Sequence, residues 1–202
     1  MFKLNWLQHE LPELQKELFE IYKDLHQHPE PGFEEVRTSG IIAEYLKKLG
    51  LCVQTGLAFT GVVGLLDSGR PGKTLMLRAD MDCLAIPDQS GLPYQSEHAG
   101  YCHACGHDSH VTMLLGAASV LSRHKEKFQG KIKFVFQPCE EGTLKPEVTQ
   151  ALKEAGYVGR PGEAGLGGAG FLIKEGVLEG VDACIGLHVL PELPLGAVSL
   201  CE

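Results

Sequence analysis

Apolar residues in the first fifty positions recur at helical spacing. The residues that form the first apolar stripe are Leu11, Leu14, Leu18, Ile21 and Leu25. This stripe predicts an amphipathic helix that ends near Pro29 and Pro31. A second helix is predicted from about Glu34 to Leu49, with Gly50 as its C-terminal cap.

After Gly50 the apolar residues no longer recur at helical spacing and instead form short runs. The runs LCVQT, GVVGLLD and KTLMLRADMD predict three strands, and KIKFVFQ and VDACIGLHV predict two more that are buried. Helices are predicted for VTMLLGAASVLSRHKEKF, PEVTQALKEAG and GFLIKEGVL. Because strands and helices alternate, the chain is predicted to form an α/β fold: a three-layer αβα domain around a central mixed, largely parallel sheet.

Composition narrows the class of protein. With 202 residues, 44% hydrophobic and 22% charged, the chain has the profile of a folded globular domain. A formal net charge of -8 offers no basic face, so we expect no nucleic-acid partner. No apolar run approaches membrane-spanning length and the N-terminus lacks a signal-peptide core, which predicts a cytoplasmic protein with no membrane partner.

Cysteines are odd in number, seven in all, which favours reduced thiols over a disulfide framework. Four of them fall outside the polar motifs and are predicted to pack in the core: Cys52, Cys83, Cys184 and Cys201.

The stretch HACGHDSH, residues 103–110, concentrates groups that bind metals. We interpret it as a loop in which Cys105 and His107, one residue apart, turn toward the same ion, since thiolate and imidazole both bind Zn²⁺ and related cations. The alternative is half of a structural zinc knuckle, or a redox pair formed by Cys102 and Cys105.

Two adjacent carboxylates, Glu140 and Glu141, follow the strand KIKFVFQ. Neighbouring side chains on extended backbone point to opposite sides, so one could bind a metal while the other faces a substrate cavity and transfers protons. The alternative is a solvated acidic turn.

Further polar residues lie at the ends of other predicted strands. His188 ends VDACIGLH and is a candidate ligand, or alternatively a core histidine. Asp80 and Asp82 lie two residues apart, on one face of a strand, where either could orient a ligand histidine; the alternative is an ordinary strand-end turn. Asp108 is a further candidate to orient a ligand histidine.

The ordered motifs RADMD, HACGHDSH, QPCEEG and GLHV resemble those of the metal-dependent amidohydrolases of the aminoacylase and carboxypeptidase superfamily, in particular the group of hippurate hydrolase, indole-acetyl-amino-acid hydrolases and acetyldiaminopimelate deacetylase. The resemblance implies two divalent metal ions, Mn²⁺ or Zn²⁺, with Co²⁺ and Ni²⁺ as further candidates. It implies that Glu140 is the general base and that the metal ligands are Cys105, His107, Glu141 and His188.

The resemblance also implies the reaction, which is hydrolysis of the amide bond of a small N-acyl amino acid through a metal-bound hydroxide. Two alternatives stay open: a dipeptidase or carboxypeptidase of the same superfamily, and an inactive, truncated metal-binding relative. A full-length form is expected to be a homodimer.

Residues 1–202 are expected to be the N-terminal part of the catalytic domain, with an insertion at 143–166. Family members continue with a small dimerisation and lid domain, then a segment that returns to the catalytic domain with one more histidine ligand. Both parts are expected to be absent from these 202 residues, which leaves the metal centre one ligand short.

Overall fold

A computed structural model describes residues 7, 9–154 and 167–199 of the chain. Its elements, in chain order, are α1 (Leu11–Gln27), α2 (Val36–Lys48), β1 (Cys52–Leu57), β2 (Gly61–Asp67), β3 (Thr74–Asp80), α3 (His107–Arg123), a 3₁₀ turn (Lys125–Lys127), β4 (Lys131–Gln137), α4 (Pro146–Glu154), α5 (Gly168–Lys174) and β5 (Ala183–Gly186). Among the described residues, no helix is both long and apolar enough to cross a membrane.

The five strands form one mixed sheet in the order β1-β2-β4-β3-β5. The pairs β1–β2 and β2–β4 are antiparallel, whereas β3 runs parallel to both β4 and β5. The predicted mixed α/β sheet is confirmed. Because β4, β3 and β5 run in the same direction, their carboxyl ends lie at one edge of the sheet.

Helices cover both faces of this sheet, which gives the three predicted layers. Alternate residues of β4 point to opposite sides, as the two-residue period of a strand requires. Phe134 and Phe136 pack in a core with α1, α2 and α3, while Val135 packs in a second core with Phe171 of α5 and with Leu144, which precedes α4.

The prediction that VDACIGLHV is a buried strand is wrong. The strand within this stretch, β5, has all four residues exposed, because β5 is an edge strand that pairs with β3 alone among the described strands. The same position exposes Cys184, and Cys52 is exposed as well, so core packing holds for Cys83 only. Cys201 lies outside the described residues.

Two predicted boundaries shift at the polar motifs. Half of the stretch interpreted as a loop is helical, since α3 begins at His107. Strand β3 ends at Asp80, so Asp82 lies in the following loop and not on the strand face that the two-residue spacing suggested.

Candidate metal centre

The predicted polar residues meet at the carboxyl edge of β3, β4 and β5. Asp80 is the last residue of β3, Glu140 and Glu141 follow β4, and His188 follows β5. The start of α3 brings His107 to the same edge. Three groups of side chains could each hold a cation there, with ligand atoms within 4.8 Å of one another: Cys105, His107 and His188; Asp80, His107 and His110; and His107, Glu140 and Glu141.

Gly106 allows the chain to turn into α3 at this point. It is the N-cap of the helix and has a φ of 81°, a left-handed conformation that glycine adopts without strain. A Cβ at this position would also overlap the side chain of Val189. The loop therefore reverses tightly enough to place His107 in the interior and Cys105 beside the loop that follows β5.

His107 is common to all three groups and is fully buried. Its Nδ1 lies 3.1 Å from Oδ1 of Asp82, so a proton on Nδ1 is donated to that carboxylate. The lone pair of Nε2 then points at carboxylate oxygens of Asp80, Glu141 and Glu140, at 3.6, 3.7 and 3.8 Å. Within the described part of the chain, this Nε2 has no hydrogen-bond partner.

The surroundings of His107 favour positive charge. Burial opposes the imidazolium, but the hydrogen bond to Asp82 and the charges of Asp80, Asp82 and Glu141 outweigh it and raise the pKa of His107. A site that attracts a proton in this way also attracts a cation, which would relieve the repulsion between the Nε2 lone pair and the carboxylates.

Cys105 and His188 form the outer side of the site. The Cys105 Sγ lies 3.3 Å from Nε2 of His188, whose Nδ1 lies 2.7 Å from the carbonyl oxygen of Val189. A proton on Nδ1 is donated to that carbonyl, which leaves Nε2 as an electron-pair donor toward the metal site. Burial, together with the carboxylates of Glu141, Asp80 and Glu140, raises the pKa of Cys105 to about 12, so a cation is needed to hold the thiolate.

The donor set fits a divalent cation. Ligand atoms bound tetrahedrally to one Zn²⁺ at about 2.0–2.3 Å lie roughly 3.3–3.8 Å from one another. The spacings here, 3.3 Å for Cys105–His188 and 3.6–3.8 Å around His107, are close to that range. Mixed sulfur, nitrogen and oxygen ligands suit zinc and its neighbours in the first transition row.

The side chains of Glu140 and Glu141 do not point to opposite sides, as they would on extended backbone. Cys139, just before them, has a φ of 47°, and both carboxylates reach the same Nε2 of His107. They differ in exposure: the Glu140 side chain is 40% exposed and the Glu141 side chain 20%. Burial, followed by the charge of Asp80, raises the pKa of Glu140. That Glu141 is the ligand and Glu140 the base stays a prediction.

The three aspartates have different partners. Asp82 contacts His107 and also accepts the backbone N–H of Glu141 at 3.0 Å. Asp80 accepts from Nδ1 of His110 at 2.6 Å and is paired with Arg78 at 2.6 Å. Asp108 faces away from His107, because its carboxylate accepts from Nδ1 of His26 at 2.7 Å.

His110 and Arg78 belong to the site although sequence reasoning assigned them no role. Burial by itself would raise the pKa of Asp80, but the hydrogen bond from His110 and the charges of His107 and Arg78 lower it to about 2. Nε2 of His110 accepts the backbone N–H of Val189 at 2.9 Å, which ties α3 to the segment after β5. The three-residue spacing of His107 and His110 on one helix was the available signal.

The chain resembles known proteins over most of its length. The family model for peptidase family M20/M25/M40 matches residues 76–201. Thermostable carboxypeptidase 1 of Saccharolobus solfataricus is 38% identical over 191 residues, covering 94% of this chain and 43% of the relative. N-acetyl-L-cysteine deacetylase of Bacillus subtilis is 39% identical over 190 residues, covering 94% and 40%.

A solved structure agrees with the fold. The crystal structure of a dinuclear metal-binding peptidase of the M20 family from Bacillus subtilis matches with a TM-score of 0.76 and 32% identity, over 91% of this chain and 45% of that one. The chain thus spans about two fifths of the length of the curated relatives that it matches.

Proposed function

Because the chain belongs to peptidase family M20/M25/M40, we propose that it provides the metal-binding part of a hydrolase that cleaves the amide bond of N-acyl amino acids. The observation that carries the proposal is the buried Nε2 of His107, without a partner in the described part of the chain and faced by three carboxylates. The pair formed by Cys105 and His188 lies beside it.

In this proposal Cys105, His107, Glu141 and His188 hold two divalent cations, Mn²⁺ or Zn²⁺. Bound divalent cations polarise a substrate carbonyl and acidify water. Asp82 fixes the proton of His107 on Nδ1, which keeps Nε2 available as a ligand. Glu140 is the more exposed carboxylate and has a raised pKa, so it is suited to accept a proton from water and donate it to the leaving nitrogen.

Two substrate classes follow from the relatives. The deacetylase, by its name, acts on an N-acyl amino acid, and we propose that class for this chain. The carboxypeptidase relative, equally similar in sequence, favours a second candidate, the C-terminal peptide bond of a short peptide. Both reactions place an amide carbonyl beside a free carboxylate, so the same ligands and base serve either.

The test is hydrolysis by the natural protein in its full length, loaded with Mn²⁺ or Zn²⁺. N-acetyl amino acids and N-blocked dipeptides are compared by kcat/KM, and the better class identifies the substrate. We expect Glu140→Gln to lower kcat by about 10²-fold or more with the metal content unchanged, because the base is lost and the ligands remain.

The matched control is Glu147→Gln, which neutralises an exposed carboxylate on α4 and should leave kcat unchanged. Full activity of the Glu140 variant would contradict the role of that residue. Failure of the metal-loaded protein to cleave either substrate class would contradict the proposed function.

A further inference from the structure

Glu35 is a carboxyl buried outside the candidate metal centre. It is the N-cap of α2, and its side chain is 0% exposed. Its partners on other residues are neutral: Oε1 accepts the backbone N–H of Cys139 at 2.8 Å, and Oε2 lies 2.5 Å from the hydroxyl oxygen of Thr60. Burial strips a carboxyl of its hydration, so an apolar side chain would serve packing better than Glu35 does.

Cys139, which Glu35 contacts, has an unusual backbone. Its φ of 47° is left-handed, a conformation that is strained for a residue with a Cβ and persists only where neighbouring groups hold it. Cys139 is buried and directly precedes Glu140 and Glu141. Its conformation therefore determines how those two side chains leave the end of β4.

Among the described residues, four hydrogen bonds hold the turn at residues 139–143 from outside, one of them from the N–H of Gly168 to the carbonyl of Cys139 at 3.1 Å. Besides the bond to Glu35, the N–H of Gly32 donates to the carbonyl of Thr143 at 2.8 Å, and Asp82 accepts the N–H of Glu141 at 3.0 Å. A Cβ on Gly32 would come within 2.7 Å of the Cys139 Sγ, so the two segments touch directly. Two of these four bonds come from residues 32–35, and of the four only the bond from Glu35 binds the N–H of Cys139.

We propose that Glu35 is a positioning residue for the metal centre, which acts through the backbone of Cys139. By satisfying the Cys139 N–H it holds the strained turn, and the turn presents Glu140 and Glu141 to Nε2 of His107. The hydrogen bonds of the Glu35 side chain to other described residues go to Thr60 and Cys139 and not to a proposed ligand. This inference rests on the proposed function, because it concerns how the residues of that site are oriented.

Three substitutions separate positioning from packing. Glu35→Leu keeps the approximate volume and removes both acceptors. Burial raises the pKa of Glu35 to about 8 and so favours the neutral carboxyl, whose O–H would donate to the Thr60 hydroxyl. Glu35→Gln mimics that form, because the amide oxygen accepts from Cys139 and the NH₂ donates to Thr60. Thr60→Val is the matched control, because it disturbs the same buried carboxyl and leaves the bond to Cys139 in place.

The first readout does not depend on activity. We expect hydrogen exchange of amides 139–143 to rise by about tenfold or more in Glu35→Leu, while peptides from β3 and β4 exchange as in the wild type. Bound metal per chain should fall in the same variant. Glu35→Gln and Thr60→Val should match the wild type in both measurements.

The second readout is kinetic, for the natural full-length protein on its preferred substrate. We expect kcat of Glu35→Leu to fall by about 10²-fold with KM changed far less, because a shift of the order of 1 Å misplaces the base and a ligand. Glu35→Gln should restore kcat. If no acyl amino acid or peptide is cleaved even by the wild type, the proposed function fails, but exchange and metal content still decide the role of Glu35.

A folded Glu35→Leu protein with wild-type exchange at 139–143 and wild-type metal content would overturn the inference. If Glu35→Leu does not fold, Glu35→Met replaces it, since the unbranched methionine follows the path of the glutamate side chain and has no oxygen to accept the N–H of Cys139. Wild-type exchange and metal content in Glu35→Met would overturn the inference in the same way.

Discussion

The candidate metal centre has two halves that differ in burial. The buried half consists of Asp80, Asp82, His107 and His110, each no more than 2% exposed. The rim half consists of Cys105, Glu140, Glu141 and His188, which are half-buried or exposed. The buried half is cross-linked by hydrogen bonds between β3, the loop after it and α3, whereas the rim residues all lie in loops, one of which follows the edge strand β5.

Because of this difference in burial, the two halves have different roles: the buried half orients the site, and the rim half is accessible to solvent and substrate. Apart from Nε2 of His107, the hydrogen bonds among the buried residues orient them without a cation, so their geometry is set when the core folds. The rim residues provide most of the proposed ligands and the base, where solvent and substrate can reach them. Substitutions in the buried half should therefore affect both folding and metal binding, and substitutions in the rim half mainly metal binding.

Asp82→Asn should have the largest effect of the changes that leave all proposed ligands in place. The asparagine amide can donate to Nδ1 of His107, which would move the histidine proton to Nε2 and block the metal-binding nitrogen. We expect metal affinity to fall by about 10–100-fold, as for other outer partners of metal ligands. Isothermal titration with Zn²⁺ and Mn²⁺ measures the change.

Asp67→Asn is the control for Asp82→Asn, because Asp67 is an exposed carboxylate at the end of β2. It should bind metal as the wild type does. Unchanged affinity in Asp82→Asn would mean that the buried half does not orient His107.

Paired variants of His110 and His188 compare the two halves directly. His110→Ala leaves Asp80 and the Val189 N–H without this partner, and we expect the free energy of unfolding to fall by about 1–3 kcal/mol. His188→Ala removes an exposed side chain and should change it by no more than about 0.5 kcal/mol. Metal affinity should fall in both.

Urea unfolding of the metal-free proteins measures the free energy of unfolding of both variants. His98→Ala, at an exposed histidine, is the control. Equal destabilisation by His110→Ala and His188→Ala would remove the distinction between the halves.

The smallest effect should come from substitution of His26, whose partner Asp108 follows His107 in α3. The hydrogen bond from His26 to Asp108 and the charges of Asp108 and Asp88 raise the pKa of His26 in spite of its burial. A raised pKa in the folded state adds stability that is complete below the ordinary histidine pKa of 6.5 and is lost as pH rises through the folded value.

His26→Gln should therefore destabilise the metal-free protein more at about pH 5.5 than at about pH 9. Thermal unfolding at the two pH values measures the difference, with His98→Gln as the exposed control. A gap in Tm that is the same at both pH values, or wider at high pH, would contradict the raised pKa of His26.

Much of the fold could be predicted from the spacing of apolar residues. The helical stripe from Leu11 to Leu25 and the apolar run KIKFVFQ both correspond to real elements. The exposure of β5 was missed, because an apolar run reports preference for burial and not what lies beside the strand. The helical start at His107 was missed because polar residues at a helix N-terminus look locally like a loop.

The candidate site was predicted in part. The motif order identified the residues that meet at one sheet edge, since parallel strands deliver their carboxyl ends together. The separate roles of Asp80 and Asp82 were out of reach, because strand periodicity could not indicate that β3 ends between them. Glu35 was missed altogether, since its partner is a backbone N–H distant in sequence.

The sequence by itself determined the periodicity, the chemical groups and their order along the chain, because these are properties of residues and their neighbours. Only the tertiary structure decided which groups face one another. Hydrogen bonds such as those of His107 to Asp82, His110 to Asp80 and Glu35 to Cys139 join residues 25 to 104 positions apart. Such pairings depend on how the packed layers bring distant segments together, and no local preference encodes them.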